Sequence, residues 1–428
     1  MTQSVTKFVW GRRHYVVLLM FLAVVIGYSD RVNISVASIS MKEQLGWTQT
    51  TKGVVLSAFF VGYLSFMFIG GWLATRYGGK RILGIAVLWW SAFTLLTPWA
   101  AATSLPMLIA VRIGMGIGEA ALFPAAYEMV ARWSRPDERT SGIAWVNNGI
   151  SMGTVIGLLA TGWIVGHYAW QQAFYVFGVL GLVWTVIWYA SVSNDPRSDT
   201  RMRDSERALY ADDAAPLEMS AQRLPWRLLF LKPQVWALVI THFSVTWTLY
   251  MLLTWLPSYF RDAQGVTIAN SGFLSAAPWL SMFLMTYLAS RIATMLIRRT
   301  GRIAFTRKLI QSIGLLGSAL LLLLAQYAHS VPVAVAIVCG AAGFLGFCWA
   351  GYAPNTLDLA PRHGGVLLGF SNTFATIPGI VGVTITGWLV DLTGTYAAAF
   401  ALAAAVSVVG TIVYCTLGRA EPLIGPDA

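Results

Sequence analysis

Apolar residues run through this chain in blocks too long for a soluble fold. A helix rises 1.5 Å per residue, so about 20 apolar residues cross the roughly 30 Å hydrocarbon core of a bilayer. Twelve blocks meet that length, at 14–39, 53–74, 82–101, 104–131, 140–165 and 170–192, then 234–260, 270–297, 306–328, 331–360, 364–390 and 395–418. Between the sixth and seventh lies a polar stretch, Ser193 to Arg227, with Asn194-Asp195-Pro196 and charges of both signs. It reads as a surface linker. The pattern predicts an all-α integral membrane protein with twelve transmembrane helices in two six-helix bundles, residues 1–192 and 233–428, joined through 193–232.

Composition agrees: 57% of residues are hydrophobic and 11% charged, far below the roughly 25% charged of soluble domains. The net charge of +11 does not point to nucleic acid, because the basic residues sit in short loops between apolar blocks. They alternate from loop to loop: Arg76, Lys80 and Arg81; Arg132, Arg135 and Arg139; the linker; Arg298 to Lys308; then Arg362 and Arg419. The intervening loops hold only Lys42, Lys52 and Arg261. That asymmetry predicts a multi-pass protein of the cell (inner) membrane with both termini and the linker in the cytoplasm. The apolar stretch after His14 is too long for a signal-peptide core, so it reads as a retained first helix.

Cys339, Cys348 and Cys415 all fall in apolar blocks, with no disulfide or metal spacing. No P-loop, nucleophile elbow or HExxH motif occurs, and no soluble segment is long enough to house an enzyme. The expectation is a non-enzyme without a cofactor or metal, a monomer whose partners are the bilayer and a small molecule. The halves echo each other in Leu56-Ser57-Ala58 and Leu274-Ser275-Ala276, each followed by a basic loop, as in a duplicated transporter body.

Two motifs carry a family resemblance. Gly71-Trp72-Leu73-Ala74-Thr75-Arg76-Tyr77-Gly78-Gly79-Lys80-Arg81 resembles the loop signature of the major facilitator superfamily, with Gly71, Arg76, Gly78, Lys80 and Arg81 as its gate-loop residues, and Arg112-Ile113-Gly114-Met115-Gly116-Ile117-Gly118 resembles its fourth-helix motif. Thr75 replaces the usual aspartate, and Thr294 stands near the equivalent point of the second half. Four further segments are similar to the anion:cation symporter family of sugar-acid and phthalate permeases, sialin and vesicular glutamate transporters. They are Tyr28-Ser29-Asp30-Arg31-Val32-Asn33, Gly118-Glu119-Ala120-Ala121-Leu122-Phe123-Pro124, Thr254-Trp255-Leu256-Pro257-Ser258-Tyr259 and Asn355-Thr356-Leu357-Asp358-Leu359-Ala360-Pro361-Arg362. The resemblance implies ion-coupled movement of a small organic anion by alternating access, with the first and fourth helices lining a central cavity.

Charges inside the apolar blocks carry the chemistry. Each costs roughly 2.5–3.5 kcal/mol at a bilayer centre on insertion scales and needs a reason to stay. Asp30 lies about 24 Å from the cytoplasmic start of the first helix, Arg112 about 12 Å and Glu119 about 22 Å from the outer start of the fourth. Two arginines and two acids at compatible depth make a site that is neutral when empty. Arg31, a planar fork of donors, is expected to take the substrate carboxylate. Asp30 and Glu119 are expected to carry protons, with Arg112 as the internal partner that favours their ionised forms. A fixed ion-pair network tying two helices together is the alternative.

Uncharged candidates are Tyr28, Asn148, His242, Tyr352, Asn355 and Asn372 for substrate, with Tyr250 and Ser371 beside them, which suits a hydroxylated ligand; helix-packing hydrogen bonds explain such residues equally well. Trp247 and Trp255 read as a stacking pair, a gate or plain bulk. Glu128 beside Arg132, and Asp358 beside Arg362, read as surface or gate salt bridges. Gly114, Gly116 and Gly118 read as a close helix approach. The favoured function is proton-coupled symport of a sugar acid such as a hexonate, hexuronate or glucarate. Uptake of an aromatic carboxylate, anion exchange and a non-transporting sensor are the alternatives.

Overall fold

A computed structural model describes residues 10–135, 138–207, 210, 230–361 and 364–423. Among them twelve helices are long and apolar enough to cross a membrane. They are α1 (Arg12–Leu45), α2 (Gln49–Tyr77), α3 (Gly79–Thr103), α4 (Leu105–Trp133), α5 (Arg139–His167), α6 (Gln171–Ser191), α7 (Pro233–Gln264), α8 (Ile268–Thr300), α9 (Ile303–Tyr327), α10 (Val331–Leu359), α11 (Gly364–Thr393) and α12 (Ala397–Leu417). The expected all-helical class and the number of spans are borne out, but α1, α2, α3, α5, α7 and α8 outrun their apolar blocks at both ends.

Local chemistry sets those ends. The side chains of Thr48, Ser104 and Thr267 accept hydrogen bonds from the backbone N–H groups of Thr51, Met107 and Asn270, which caps α2, α4 and α8 at their first turns. Gly265 and Gly301 close α7 and α8 in the left-handed region, where a side chain would be strained. Helix α4 is interrupted: it runs from Leu105 to Glu119, turns at Ala120 and Ala121, and resumes from Leu122 to Trp133. Pro124 has no N–H to offer the carbonyl of Ala120, so the helix loosens just after Glu119.

The halves repeat one packing scheme. In the first, α1 packs on α5, α2 on α4 and α3 on α6; in the second, α7 packs on α11, α8 on α10 and α9 on α12. Because lipid tails are as apolar as leucine, such contacts rely on small residues that let backbones meet. A Cβ on Gly153 of α5 would lie 2.4 Å from the Val25 carbonyl oxygen of α1, and one on Gly116 of α4 would lie 2.0 Å from the Phe59 carbonyl oxygen of α2. The glycines of the fourth-helix motif therefore serve close approach.

Between bundles, α2 meets α11, α5 meets α8 and α1 meets α7. The end of the molecule away from the basic loops is closed by them: Gly162 of α5 lies against Gly272 of α8, Gly166 against Ala269, and Gly53 of α2 against Val383 and Thr384 of α11, while α2 and α11 also meet further along at Met67 and Asn372. Two expectations change here. Lys52, read as a loop residue, is inside α2 and 1% exposed, because Thr48 caps the helix a turn before the apolar block begins. The linker, read as a surface segment, is partly anchored: buried Asp199 and Glu206 pair with Arg12 and Arg13 at the start of α1, and Glu206 also accepts the backbone N–H groups of Arg12 and Arg13 at 2.8 and 3.0 Å. A carboxylate is favoured at that position by the helix dipole.

Candidate functional site

Helix α1 crosses α4 where both carry charge. Tyr28 and Arg31, three residues apart, share a face of α1. Arg31 Nε donates to Glu119 Oε1 of α4 at 3.0 Å, and Nη2 donates to the same oxygen. The guanidinium lies over the rings of Tyr28, Phe59 and Tyr63 at 4.6, 4.8 and 5.0 Å from their centroids. Aromatic faces stabilise a desolvated cation by up to about 2 kcal/mol each. Glu119 is 0% exposed, and its second oxygen, Oε2, has no hydrogen-bond partner among the described residues. The fork of Arg31 is therefore held on one carboxylate oxygen inside an aromatic box.

Asp30 is also 0% exposed, and no cation pairs with its carboxylate directly among the described residues. It lies beside Trp90 and Thr94 of α3, with Arg112 and Glu119 as its charged neighbours. Arg112 is buried, donates from Nη1 to Met115 Sδ at 3.0 Å and lies over Phe59 at 5.5 Å. The four groups expected to converge do so. Their pairing differs from the expectation, since Arg31 rather than Arg112 engages Glu119. The reason is axial: Arg112 and Glu119 are seven residues, about 10.5 Å, apart on one helix, whereas α1 brings Arg31 across directly.

The second bundle has a different inventory. His242 Nδ1 is 3.0 Å from Ser371 Oγ, and its ring lies against Tyr352 at 4.6 Å between centroids. The Tyr352 hydroxyl has no hydrogen-bond partner among the described residues. Asn355 donates from Nδ2 to the Tyr414 hydroxyl at 2.9 Å, away from Arg31. Tyr250 of α7 stands at the seam, 4.5 Å from Phe60 of α2 between centroids, in the electrostatic reach of both Arg31 and Tyr352. Asn372 of α11 donates to Met67 Sδ of α2 at 3.4 Å. Asn148 is exposed on α5, and its neighbour Asn147 accepts from the Tyr127 hydroxyl at 2.7 Å. Tyr28 and Tyr250 thus attend Arg31, whereas His242, Tyr352 and Asn355 form a separate polar layer.

At the basic end, Thr75 Oγ1 turns back to its own helix at the Trp72 carbonyl, and Thr294 does the same at Ser290. A carboxylate still reaches the loop: Glu128 of α4 accepts the Gly79 N–H at 2.7 Å and pairs with Arg132. Lys80 and Arg81 contribute carbonyls that accept from Trp188 Nε1 and the Tyr189 hydroxyl at 2.9 and 3.0 Å, Gly78 takes a positive φ, Gly71 faces open space and Arg76 is exposed. In the second half, Asp358 of α10 pairs with Arg307 of α9 at 2.9 Å; Arg362, its expected partner, lies outside the described residues.

The family model described as Major Facilitator Superfamily matches residues 19–306. The chain belongs to the major facilitator superfamily. Within that family it is 37% identical over 413 residues to a sodium-dependent phosphate transport protein of Arabidopsis thaliana chloroplasts, covering 96% of this chain and 80% of the relative. It is 36% identical over 415 residues to the chloroplastic ascorbate transporter of the same plant, covering 96% and 76%, and 33% identical over 445 residues to human sialin, covering 96% and 90%. These relatives place it in the anion:cation symporter family. Its fold is similar to a bacterial homologue of the human lysosomal transporter Spinster in an inward-facing, occupied conformation (TM-score 0.78, 17% identity, 95% of this chain and 97% of that one). It is also similar to a D-xylose-proton symporter (TM-score 0.75, 16% identity, covering 95% and 98%).

Three sets of residues escaped the sequence reading of this family member. Phe59 and Tyr63, four apart on α2, build the box around Arg31; their spacing was the available signal. Lys52 was counted with the loops. Arg291, a charge inside the eighth apolar block, lines a cleft of about 700 Å³ on α8 with Tyr287, Ser290, Thr294, Met295, Arg298 and Arg299. At 3.6 residues per turn, Tyr287, Ser290, Thr294 and Arg298 continue the face of α8 that meets α5 through Ala269 and Gly272.

Proposed function

We propose that this protein is a secondary transporter that carries a small organic anion together with a proton by alternating access. The observation that carries this reading is the Arg31–Glu119 pair, buried in an aromatic box. A substrate carboxylate and the Glu119 carboxylate compete for one guanidinium. Protonation of Glu119 releases Arg31, the incoming anion takes its place, and the charge of the loaded site is unchanged. Asp30, wholly buried and with no cation paired to it directly among the described residues, is a second proton carrier, with Arg112 as the internal partner of both acids.

A hydroxylated sugar acid is the favoured cargo. Its carboxylate suits Arg31, and its hydroxyls suit Tyr28, Tyr250 and Asn372, with His242 and Tyr352 behind them. Relatives named for phosphate and ascorbate transport support a small oxyanion as the class. In this reading the basic end faces the cytoplasm of a cell membrane, so the end closed by α2–α11 and α5–α8 faces outward.

Uptake of labelled hexonates, hexuronates and aromatic carboxylates into proteoliposomes tests the proposal. Acidifying the outside should drive accumulation of one class by the parent protein. Glu119→Gln should still exchange substrate across the membrane but lose pH-driven accumulation. Undiminished accumulation by that variant would rule out Glu119 as a coupling group, and uptake that requires preloaded anion would identify an exchanger.

A further inference from the structure

The closed end holds a charge arrangement that the central site does not use. Lys52 of α2 reaches across the seam: Nζ hydrogen-bonds the Ser258 hydroxyl of α7 and lies 5.0 Å from the Trp255 ring centroid. The side chain is almost wholly buried. Among the described residues no carboxylate pairs with it directly; Asp262, Glu43 and Lys42 are its charged neighbours, and the Asp262 carboxylate instead accepts from Gln49 Nε2 at 3.0 Å and the Tyr396 hydroxyl at 2.9 Å.

At the first turn of the same helix, a carboxylate of the opposite bundle is fully used. Asp391 of α11 accepts the backbone N–H of Gln49 at 2.9 Å, the N–H of Thr50 at 2.7 Å and the Thr50 hydroxyl at 2.6 Å. It clasps the N-terminus of a helix in the opposite bundle, where backbone donors and the helix dipole both favour an anion. Gly387, one turn earlier on α11, permits the contact, since a Cβ there would lie 2.3 Å from the Gln49 carbonyl oxygen.

The two groups act in opposite senses. Asp391 gains three charge-assisted hydrogen bonds only when the seam is shut. Lys52 loses its water when the seam shuts and receives one hydroxyl and one aromatic face in return, so its ammonium resists closure. We infer that Asp391 is the clasp and Lys52 the spring of a gate at the closed end, and that their opposition keeps the two access states close in free energy. Neither residue touches the central site; both position the bundles. The inference rests on the transport reading for its purpose but not for its test.

Hydrogen–deuterium exchange on the full-length protein in nanodiscs, without substrate, reads the balance directly. Lys52→Met keeps the length and removes the charge. It should slow exchange in peptides covering 46–57 and 383–396 about tenfold and speed it at the basic end, in 145–152 and 287–298. Asp391→Asn should do the reverse, slowing the basic-end peptides, which lie too far away to sense the lost hydrogen bonds themselves. Opening of the gate by Lys52→Met, or no change at the basic end in either variant, would overturn the inference. Because no substrate enters the measurement, its failure and the failure of the transport proposal are separate results.

Discussion

The centres of the two bundles occupy equivalent places in a repeated packing scheme, yet differ in kind. The first holds four buried ionisable groups, Asp30, Arg31, Arg112 and Glu119; the second holds His242, Tyr352, Asn355 and Ser371. Duplication supplied the same scaffold twice, and the chemistry was placed in one copy. In the proposed symport, a site that loads a proton together with an anion needs groups whose charge changes, and these interact strongly only when close together in a medium of low dielectric. Uncharged donors suffice for hydroxyl recognition and can be spread over a second surface.

The sharpest way to break this comparison is to unpair one half. Arg31→Ala leaves the Glu119 carboxylate buried with no cation in contact, and the expected cost is about 3–5 kcal/mol. The melting temperature of the purified protein should fall steeply, and adding Glu119→Gln should restore most of it. Equal losses in the single and double variants would mean that the pair is not coupled.

A middle-sized effect compares equivalent helix crossings. A Cβ on Gly116 would meet the Phe59 carbonyl oxygen at 2.0 Å, whereas one on Gly346 of α10 would meet the Met282 carbonyl oxygen of α8 at 2.7 Å. Gly116→Ala is expected to destabilise by about 1–3 kcal/mol through forced separation of α2 and α4, and Gly346→Ala by less. Thermal melts of the two variants in one detergent rank them, and the opposite order would show that α2 and α4 yield more readily than α8 and α10.

The smallest effects belong to the uncharged layer. Removing the hydrogen bond from Asn355 to Tyr414 with Asn355→Ala should cost about 1 kcal/mol, and His242→Phe should raise KM while leaving the pH dependence of accumulation intact. If His242→Phe instead abolishes pH-driven accumulation, coupling is shared between the bundles and the contrast drawn above fails.

Much of the site was legible along the chain because its residues announce themselves by cost. Asp30, Arg31, Arg112 and Glu119 interrupt apolar blocks, and helical rise alone put Asp30 at a depth comparable with Arg112. Which arginine holds Glu119 was not legible, since rise measures distance along a helix and says nothing of where α1 crosses α4. Lys52 shows the opposite failure. It sits just before an apolar block, as an ordinary loop lysine would, and only the N-cap at Thr48 and the approach of α7 turn it into a buried charge.

The sequence alone determined the helices, their number, the six-plus-six division of the apolar blocks and the membership in the family, because burial in lipid forces each span to satisfy its own backbone and so to carry its own signal. Tertiary structure alone decided the pairings: Arg31 with Glu119, Lys52 with Ser258 across the seam, Asp391 on the amides of α2. Each joins residues from different helices, and in lipid the choice among possible helix faces is made by close packing and a few polar contacts, which no single helix encodes.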